Sequence, residues 1–292
     1  MTTTEDWTIL RLLEWTSGFL KEKGFESPRL EAEILLSAAR ECSRIDLYTA
    51  FNEVASDEVR TAFRELVRRR GEGTPVAYLV GHREFYSRKF RVTPDVLIPR
   101  PETEFIILRL LDLVAGKTSQ PWKVVDVGTG SGIVAINAAL ELPSASVTAI
   151  DISPAALAVA QKNATDHEVT DRLEFIEGSV LSSLPPEPVF DFVLSNPPYI
   201  MTSEYAELDS HVKDHEPKLA LEAGEFGTDV IEKLIPQSAE RLKPGGWLMM
   251  EISPMIASRV NDLIISDGRY GEPHTTKDLS QLARVVSAQR VD

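Results

Sequence analysis

Ser195-Asn196-Pro197-Pro198-Tyr199 closes the apolar run Val189-Phe190-Asp191-Phe192-Val193-Leu194. Such a run reads as a buried strand. Two consecutive prolines stop it, remove two backbone donors and push Asn196 into an extended conformation. The loop is therefore stiff. It offers the Asn196 carboxamide, a Pro197 carbonyl outside any regular ladder, and the aromatic face of Tyr199. One planar NH2 group could donate two hydrogen bonds to it while Pro198 and Tyr199 pack alongside. An ordinary strand-ending turn draws on the same residue types, so the loop decides nothing by itself.

A second cluster narrows the choice. Asp126-Val127-Gly128-Thr129-Gly130-Ser131-Gly132 follows an apolar strand and opens a helix. Its alternating glycines let a ligand approach the backbone, and the helix N-terminus supplies free N–H donors. Asp151 ends the next strand, 21 residues after Gly130, where a carboxylate accepts both hydroxyls of a ribose. The pair points to a nucleoside-containing cofactor. A nicotinamide enzyme is the competitor, with glycines spaced G-x-G-x-x-G rather than the G-x-G-x-G found here. Hydride transfer has no use for Asn-Pro-Pro-Tyr after the fourth strand, whereas methyl transfer to an NH2 group does. S-adenosylmethionine carries a sulfonium methyl, a cation that the Tyr199 ring face could favour.

The elements that position these clusters follow from periodicity. From Lys123 onward strands and helices alternate, which predicts a mostly parallel sheet covered on both faces. Strands are expected at Val124–Val127, Val147–Ile150, Leu173–Ile176, Phe190–Leu194 and Trp247–Ile252, the last fed by a turn at Lys243-Pro244-Gly245-Gly246. Helices are expected at Ser131–Glu141, Pro154–Asn163 and Thr228–Leu242, and short strands near Tyr270–His274 and Ala283–Ala288. Upstream, residues 1–73 read as a small bundle of three helices. The second is capped by Ser27 with Pro28 at its first position, and the third runs from Ser56 to Gly71. Residues 74–99 change to a period of two, which predicts a linking hairpin that turns at Gly81-His82. Residues 100–292 then form the sheet domain.

Composition bounds the function. The chain of 292 residues carries a formal net charge of −14, which opposes binding to free nucleic acid. The acidity is uneven: Arg60 to Arg100 holds ten Lys/Arg against four acids, a candidate docking surface. Cys42 is the only cysteine, so no internal disulfide can form. The N-terminus lacks the basic and apolar regions of a signal peptide, and the longest apolar run, Phe105 to Ala115, is too short to span a bilayer. A soluble cytoplasmic protein is expected. His211 and His215 are four apart, but Glu216-Pro217 breaks the helix a metal-binding pair would need, so no metal is expected.

The chain resembles the release factor glutamine methyltransferases, the HemK/PrmC family, over nearly all of its length. The resemblance rests on Gly81-His82-Arg83-Glu84-Phe85-Tyr86 and Leu97-Ile98-Pro99-Arg100-Pro101-Glu102-Thr103-Glu104. It continues through Asp126–Gly132, Asp151 with Ser153-Pro154, Ser195–Ile200, Glu216-Pro217 with Ala220-Leu221, and the tail Asp278 to Arg284. It implies a Rossmann-like class I methyltransferase domain preceded by the helical bundle and hairpin. The implied reaction moves a methyl group from S-adenosyl-L-methionine to the side-chain amide of the glutamine in the Gly-Gly-Gln motif of class 1 peptide chain release factors. The protein would act as a monomer, with no membrane or direct nucleic-acid partner. Gly128, Thr129, Gly130, Ser131 and Gly132 would cradle the methionine part of the cofactor, Asp151 its ribose, and Val180 and Asn196 further parts of it. Asn196 and the Pro197 carbonyl would accept the two amide hydrogens, and Pro198 and Tyr199 would pack on the amide. The resemblance departs from the family pattern at Ser179, where an acid is usual, at Ser253-Pro254 after Glu251-Ile252, and at His215. The Asn-Pro-Pro-Tyr motif is shared with enzymes that methylate amino groups of DNA or RNA bases. Sister enzymes acting on a ribosomal-protein glutamine also look similar. The Ile-Pro-Arg-Pro-Glu-Thr-Glu segment and the acidic charge favour a release factor.

Overall fold

The computed structural model describes residues 6–291. The reading of the N-terminus as no signal peptide rests largely on Met1–Glu5, outside the described residues. The chain divides into two compact units, one running to Gly81 and taking in Ser210–His215, the other comprising His82–Asp209 and the chain from Glu216 onward.

The first unit is helical, with α1 (Ile9–Glu22), α2 (Pro28–Arg40), α3 (Arg44–Thr49), α4 (Asp57–Gly71) and α5 (Val76–Val80). Thr8 and Ser56 accept hydrogen bonds from Arg11 N and Val59 N at the starts of α1 and α4. Pro28 opens α2, where its missing N–H loses nothing. Leu13, Leu35, Leu36, Leu47, Phe63 and Val67 meet in one apolar core. The buried Arg70 lies over the Phe25 ring at 3.8 Å and donates to both oxygens of Glu31. Two expectations change. The short helix α3 is additional, closed by mutual bonds between Ser43 and Asp46. Gly71 ends α4 as expected, and a Cβ there would stand 2.8 Å from the Phe19 ring. The segment 76–80, expected to be extended, is helical, and Gly81 is its left-handed cap.

The second unit begins with a hairpin, β1 (His82–Phe85) and β2 (Arg88–Arg91), paired antiparallel. Its turn is Tyr86-Ser87, both left-handed at φ 50° and 58°, and not Gly81-His82. Two consecutive positive-φ residues suit the right-handed twist of a hairpin, and here neither is glycine. The chain continues through α6 (Glu104–Leu113), β3 (Lys123–Val127), α7 (Ile133–Glu141), β4 (Ser146–Asp151), α8 (Pro154–Asp166), β5 (Leu173–Glu177) and β6 (Phe190–Ser195). It ends with α9 (Thr202–Glu207), α10 (Ser210–Lys213), α11 (Ile231–Arg241), β7 (Leu242–Glu251), α12 (Ala257–Asp267), β8 (His274–Lys277) and β9 (Ala283–Gln289).

Seven strands form one sheet in the order β5-β4-β3-β6-β7-β9-β8. The first five are parallel, and β9 and β8 add antiparallel pairs at one edge. Alternate side chains feed opposite faces. Val124, Phe192, Leu194 and Met249 pack with α6 and α7, whereas Val125, Val127, Val193 and Met250 pack with α11 and α12. The expected turn at Lys243-Pro244-Gly245-Gly246 is instead a bulge within β7. Pairing with β6 skips from Phe190↔Leu242 to Phe192↔Trp247, which absorbs the extra residues. The helix α12 was not foreseen. No helix among the described residues is long and apolar enough to cross a membrane.

Candidate active site

Strand order reverses between β3 and β6, which lie side by side while their crossovers leave in opposite directions. A crevice opens there beyond the carboxyl ends of the strands, the usual ligand position in open α/β sheets. The register pairs Val127 with Ser195, so the glycine loop and the Asn-Pro-Pro-Tyr loop start at the same level. The Ser195 hydroxyl, fully buried, donates to the Val127 carbonyl at 2.7 Å and ties the two strand ends together. The resulting cleft, about 230 Å³, is lined by Gly128 to Ser131, Asp151, Val180, Asn196, Pro197 and Pro198.

The glycine loop is held by carboxylates. Asp126, only 1% exposed, accepts from the Thr129 hydroxyl at 2.6 Å and from Ala135 N at 3.1 Å through the same oxygen. Burial pushes its pKa up to about 7, and its other oxygen has no partner among the described residues. Asp151 accepts from Gly130 N at 2.8 Å and Ser153 N at 2.9 Å, one bond to each oxygen, which fixes its plane across the loop. Burial raises the Asp151 pKa as well. Gly130 has φ +55°, and a Cβ on it would point into open space, so the backbone there is bare toward the cleft. Gly132 differs. Its φ is +84° and a Cβ would meet Ile136 and Ala160 at 3.0 and 3.1 Å, so it lets α7 and α8 pack closely and does not line the cleft. Val180 lines the cleft at φ +54°, a strained state for a β-branched residue.

Side chains from elsewhere hold the Asn-Pro-Pro-Tyr loop. The Asn196 NH2 donates to the Thr103 hydroxyl at 3.0 Å. The hydroxyl thus accepts from Asn196, its own proton is free for the Glu251 carboxyl whose pKa it lowers, and the Asn196 side-chain oxygen is left turned the other way. The Pro197 carbonyl accepts nothing among the described residues. Tyr199 does not line the cleft. Its hydroxyl donates to Glu251 Oε1 at 3.1 Å, with the ring packed among the apolar residues between sheet and α11. Burial, with Glu251 beside it, raises the Tyr199 pKa. Just beyond, Ile200 exchanges backbone bonds with Leu221 and Ala223.

Several residues that shape the site were not among those foreseen. Thr103 and Glu251 are two. Glu216 is a third: its buried carboxylate accepts from Ile98 N at 3.1 Å and pairs with Arg100 at 2.5 Å. That bond joins the Ile-Pro-Arg-Pro segment to Glu216-Pro217, two stretches that the sequence separates by more than a hundred residues. Pro99, Arg100 and Thr103 then line the cleft beside Asn196. His211 and His215 close on Gly73 within the helical unit.

The donor set suits a nucleoside cofactor that also carries an ammonium group. Asp151 offers acceptors at the loop edge, Asp126 offers an unpartnered buried oxygen, and the bare Gly130 backbone leaves room.

Comparison with known proteins agrees. A family model described as the PrmC N-terminal domain matches residues 11–81, and one described as the methyltransferase small domain matches residues 108–211. The chain is similar to the release factor glutamine methyltransferase of Rhodopirellula baltica, 49% identical over 97% of both chains. It is similar to that of Koribacter versatilis, 46% identical over 90% of this chain and 92% of the relative. Among solved structures, the T. thermophilus 16S rRNA N2 G1207 methyltransferase in complex with AdoMet and guanosine shares the fold. Its TM-score is 0.55 at 20% identity, over 72% of this chain and 49% of that one.

Proposed function

The chain belongs to the release factor glutamine methyltransferases, enzymes dependent on S-adenosyl-L-methionine, and on that premise we propose which residues carry the reaction and on what substrate. The substrate is the glutamine of the Gly-Gly-Gln motif in class 1 release factors. Gly128 to Ser131, Asp151 and Val180 hold the cofactor, which supplies an electrophilic sulfonium methyl. Asn196 Oδ1 and the Pro197 carbonyl accept the two hydrogens of the substrate amide, and Pro198 frames it.

The observation that carries this reading is the direction of the Asn196 amide. Its NH2 is committed to Thr103, which leaves an oxygen for a donor, so the loop is built to receive an NH2 group. An amide nitrogen is a weak nucleophile because its lone pair is delocalised into the carbonyl. A side-chain carboxylate is far too weak a base to deprotonate it, and no general base is assigned. Positioning does the work instead, and in well-oriented reactions it supplies up to ~7–11 kcal/mol. Two acceptors on one NH2 draw its hydrogens into a plane and point the remaining lobe of nitrogen at the methyl carbon. As the new N–C bond forms and the C–S bond breaks, the nitrogen releases one proton to solvent. In this reading the protein is monomeric and cytoplasmic, and the helical residues 1–73 dock the substrate.

The test is transfer of label from S-adenosylmethionine to a class 1 release factor, wild type or with the motif glutamine replaced by alanine. Label on the wild type alone is expected. Label on both forms, or on DNA offered in their place, contradicts the reading.

A further inference from the structure

Glu251 is the last residue of β7, 1% exposed, and no step above uses it. Yet two residues of the methyl-transfer loop converge on its carboxyl. Tyr199 donates to Oε1 at 3.1 Å. Thr103, itself fully buried, bonds toward the same carboxyl and accepts the Asn196 NH2 at 3.0 Å. Oε2 is buried with no hydrogen-bond partner among the described residues, and the Thr103 hydroxyl beside the carboxyl lowers its pKa. A carboxylate accepts only, so both hydroxyls must point their protons at it. That fixes the whole chain: Asn196 donates to Thr103, and Thr103 donates to Glu251. An asparagine amide is otherwise symmetric enough to flip, and a flipped Asn196 would present its NH2 to a substrate that also brings only donors.

Resting on the reading of Asn196 as the amide acceptor, we propose that Glu251 is a positioning residue that sets the polarity of the methyl-transfer loop, aiming the Asn196 oxygen through Thr103 and anchoring Tyr199 directly. The charge state of Glu251 then matters. Burial pushes its pKa up to about 7, opposed by the two hydroxyls, with Glu102 raising it further and Arg284 lowering it. Arg100 faces the Tyr199 end of the same cluster. The ionised form accepts from both hydroxyls. The protonated form donates one proton of its own, and the direction of the Thr103 link is no longer imposed.

The experiment uses the full chain with Glu251→Gln, which keeps the volume and removes the charge, and Thr103→Val, which removes only the linking hydroxyl. Two readouts are taken: steady-state kinetics on the release factor, and the Asn196 side-chain amide resonances of nitrogen-labelled protein across pH. In the wild type those resonances should titrate with a midpoint near that of Glu251, and in Glu251→Gln they should stay flat. Glu251→Gln should lower kcat on the order of 10²-fold, leave both KM values within about twofold, and abolish the loss of turnover below neutral pH. Thr103→Val should reproduce the Asn196 effect and add little to Glu251→Gln. Wild-type kcat in Glu251→Gln, or an Asn196 signal that still titrates in it, overturns the proposal. So does a kcat loss that comes with a lost cofactor affinity or a lowered melting point. If Glu251→Gln does not fold, Thr103→Val with unchanged kcat and unchanged Asn196 resonances overturns it equally. A wild-type protein that fails to label the glutamine defeats the functional reading instead, and the resonance titration still decides the polarity question.

Discussion

The glycine loop after β3 and the Asn-Pro-Pro-Tyr loop after β6 begin at paired positions of neighbouring strands but are held in different ways. The first is fixed from close by. Asp126 accepts from the Thr129 hydroxyl and from Ala135 N, Asp151 at the end of the adjacent strand accepts from Gly130 N, and the loop's shape comes from main-chain torsions. The second is fixed from afar. Thr103, Glu251 and the Arg100–Glu216 pair around it come from three other parts of the chain. A cofactor with a constant shape suits a backbone cradle. An acceptor that must present one atom of a near-symmetric amide in one direction needs side chains to impose that direction. On the proposed reading the two loops divide binding from transfer, and each can be broken separately.

The largest break is at Asn196. Asn196→Ala should lower turnover on the order of 10²–10³-fold, as loss of one group aimed at a reacting centre does, while calorimetry finds cofactor affinity nearly unchanged. Asp151→Ala should do the converse. Losing a charged acceptor weakens cofactor affinity roughly 10–100-fold, matching about 1.5–3 kcal/mol per charge-assisted bond. Equal effects of either change on both quantities would dissolve the division between the loops.

That division also marks what could be read from the amino-acid sequence. Gly128 to Ser131 and Asp151 were legible as cleft lining because glycine spacing, a helix start and the next strand end are local signals. The alternating strands and helices were legible for the same reason. Thr103, Glu216 and Glu251 were not, since they lie in separate segments and only the sheet topology brings them to Asn196 and Tyr199. The Ile-Pro-Arg-Pro-Glu-Thr-Glu and Glu-Pro stretches stood out as family marks, but nothing in either said that Glu216 accepts from Ile98 N. The hairpin turn was misplaced for a local reason: Gly81 looked like the turn, whereas Tyr86 and Ser87 adopt positive φ without glycine.

A smaller effect tests the long-range support. Glu216→Ala leaves Ile98 N–H buried without an acceptor and Arg100 without its partner, and should cost about 2–3 kcal/mol in urea unfolding. It should also weaken turnover more than cofactor binding, because the segment it anchors carries Thr103. The smallest concerns Asp126. Its folded pKa of about 7 lies above its ordinary value of 3.8, so folding takes up a proton between those limits. The stability it contributes is present at low pH and is lost as pH rises toward 7. Asp126→Asn should therefore reduce the fall in unfolding free energy between about pH 4 and about pH 7. An unchanged slope would place the buried charge elsewhere, with Asp151 and Glu251 the remaining raised carboxyls of the site.

The claim that joins these observations is that the loop accepts both hydrogens of one primary amide, at Asn196 Oδ1 and at the Pro197 carbonyl. A glutamine that has gained one methyl group keeps only one of those hydrogens and no longer matches both acceptors. Mass analysis of the release-factor peptide after exhaustive incubation tests this directly. The account predicts that the motif glutamine stops at a single methyl group however long the reaction runs. A dimethylated glutamine would contradict it.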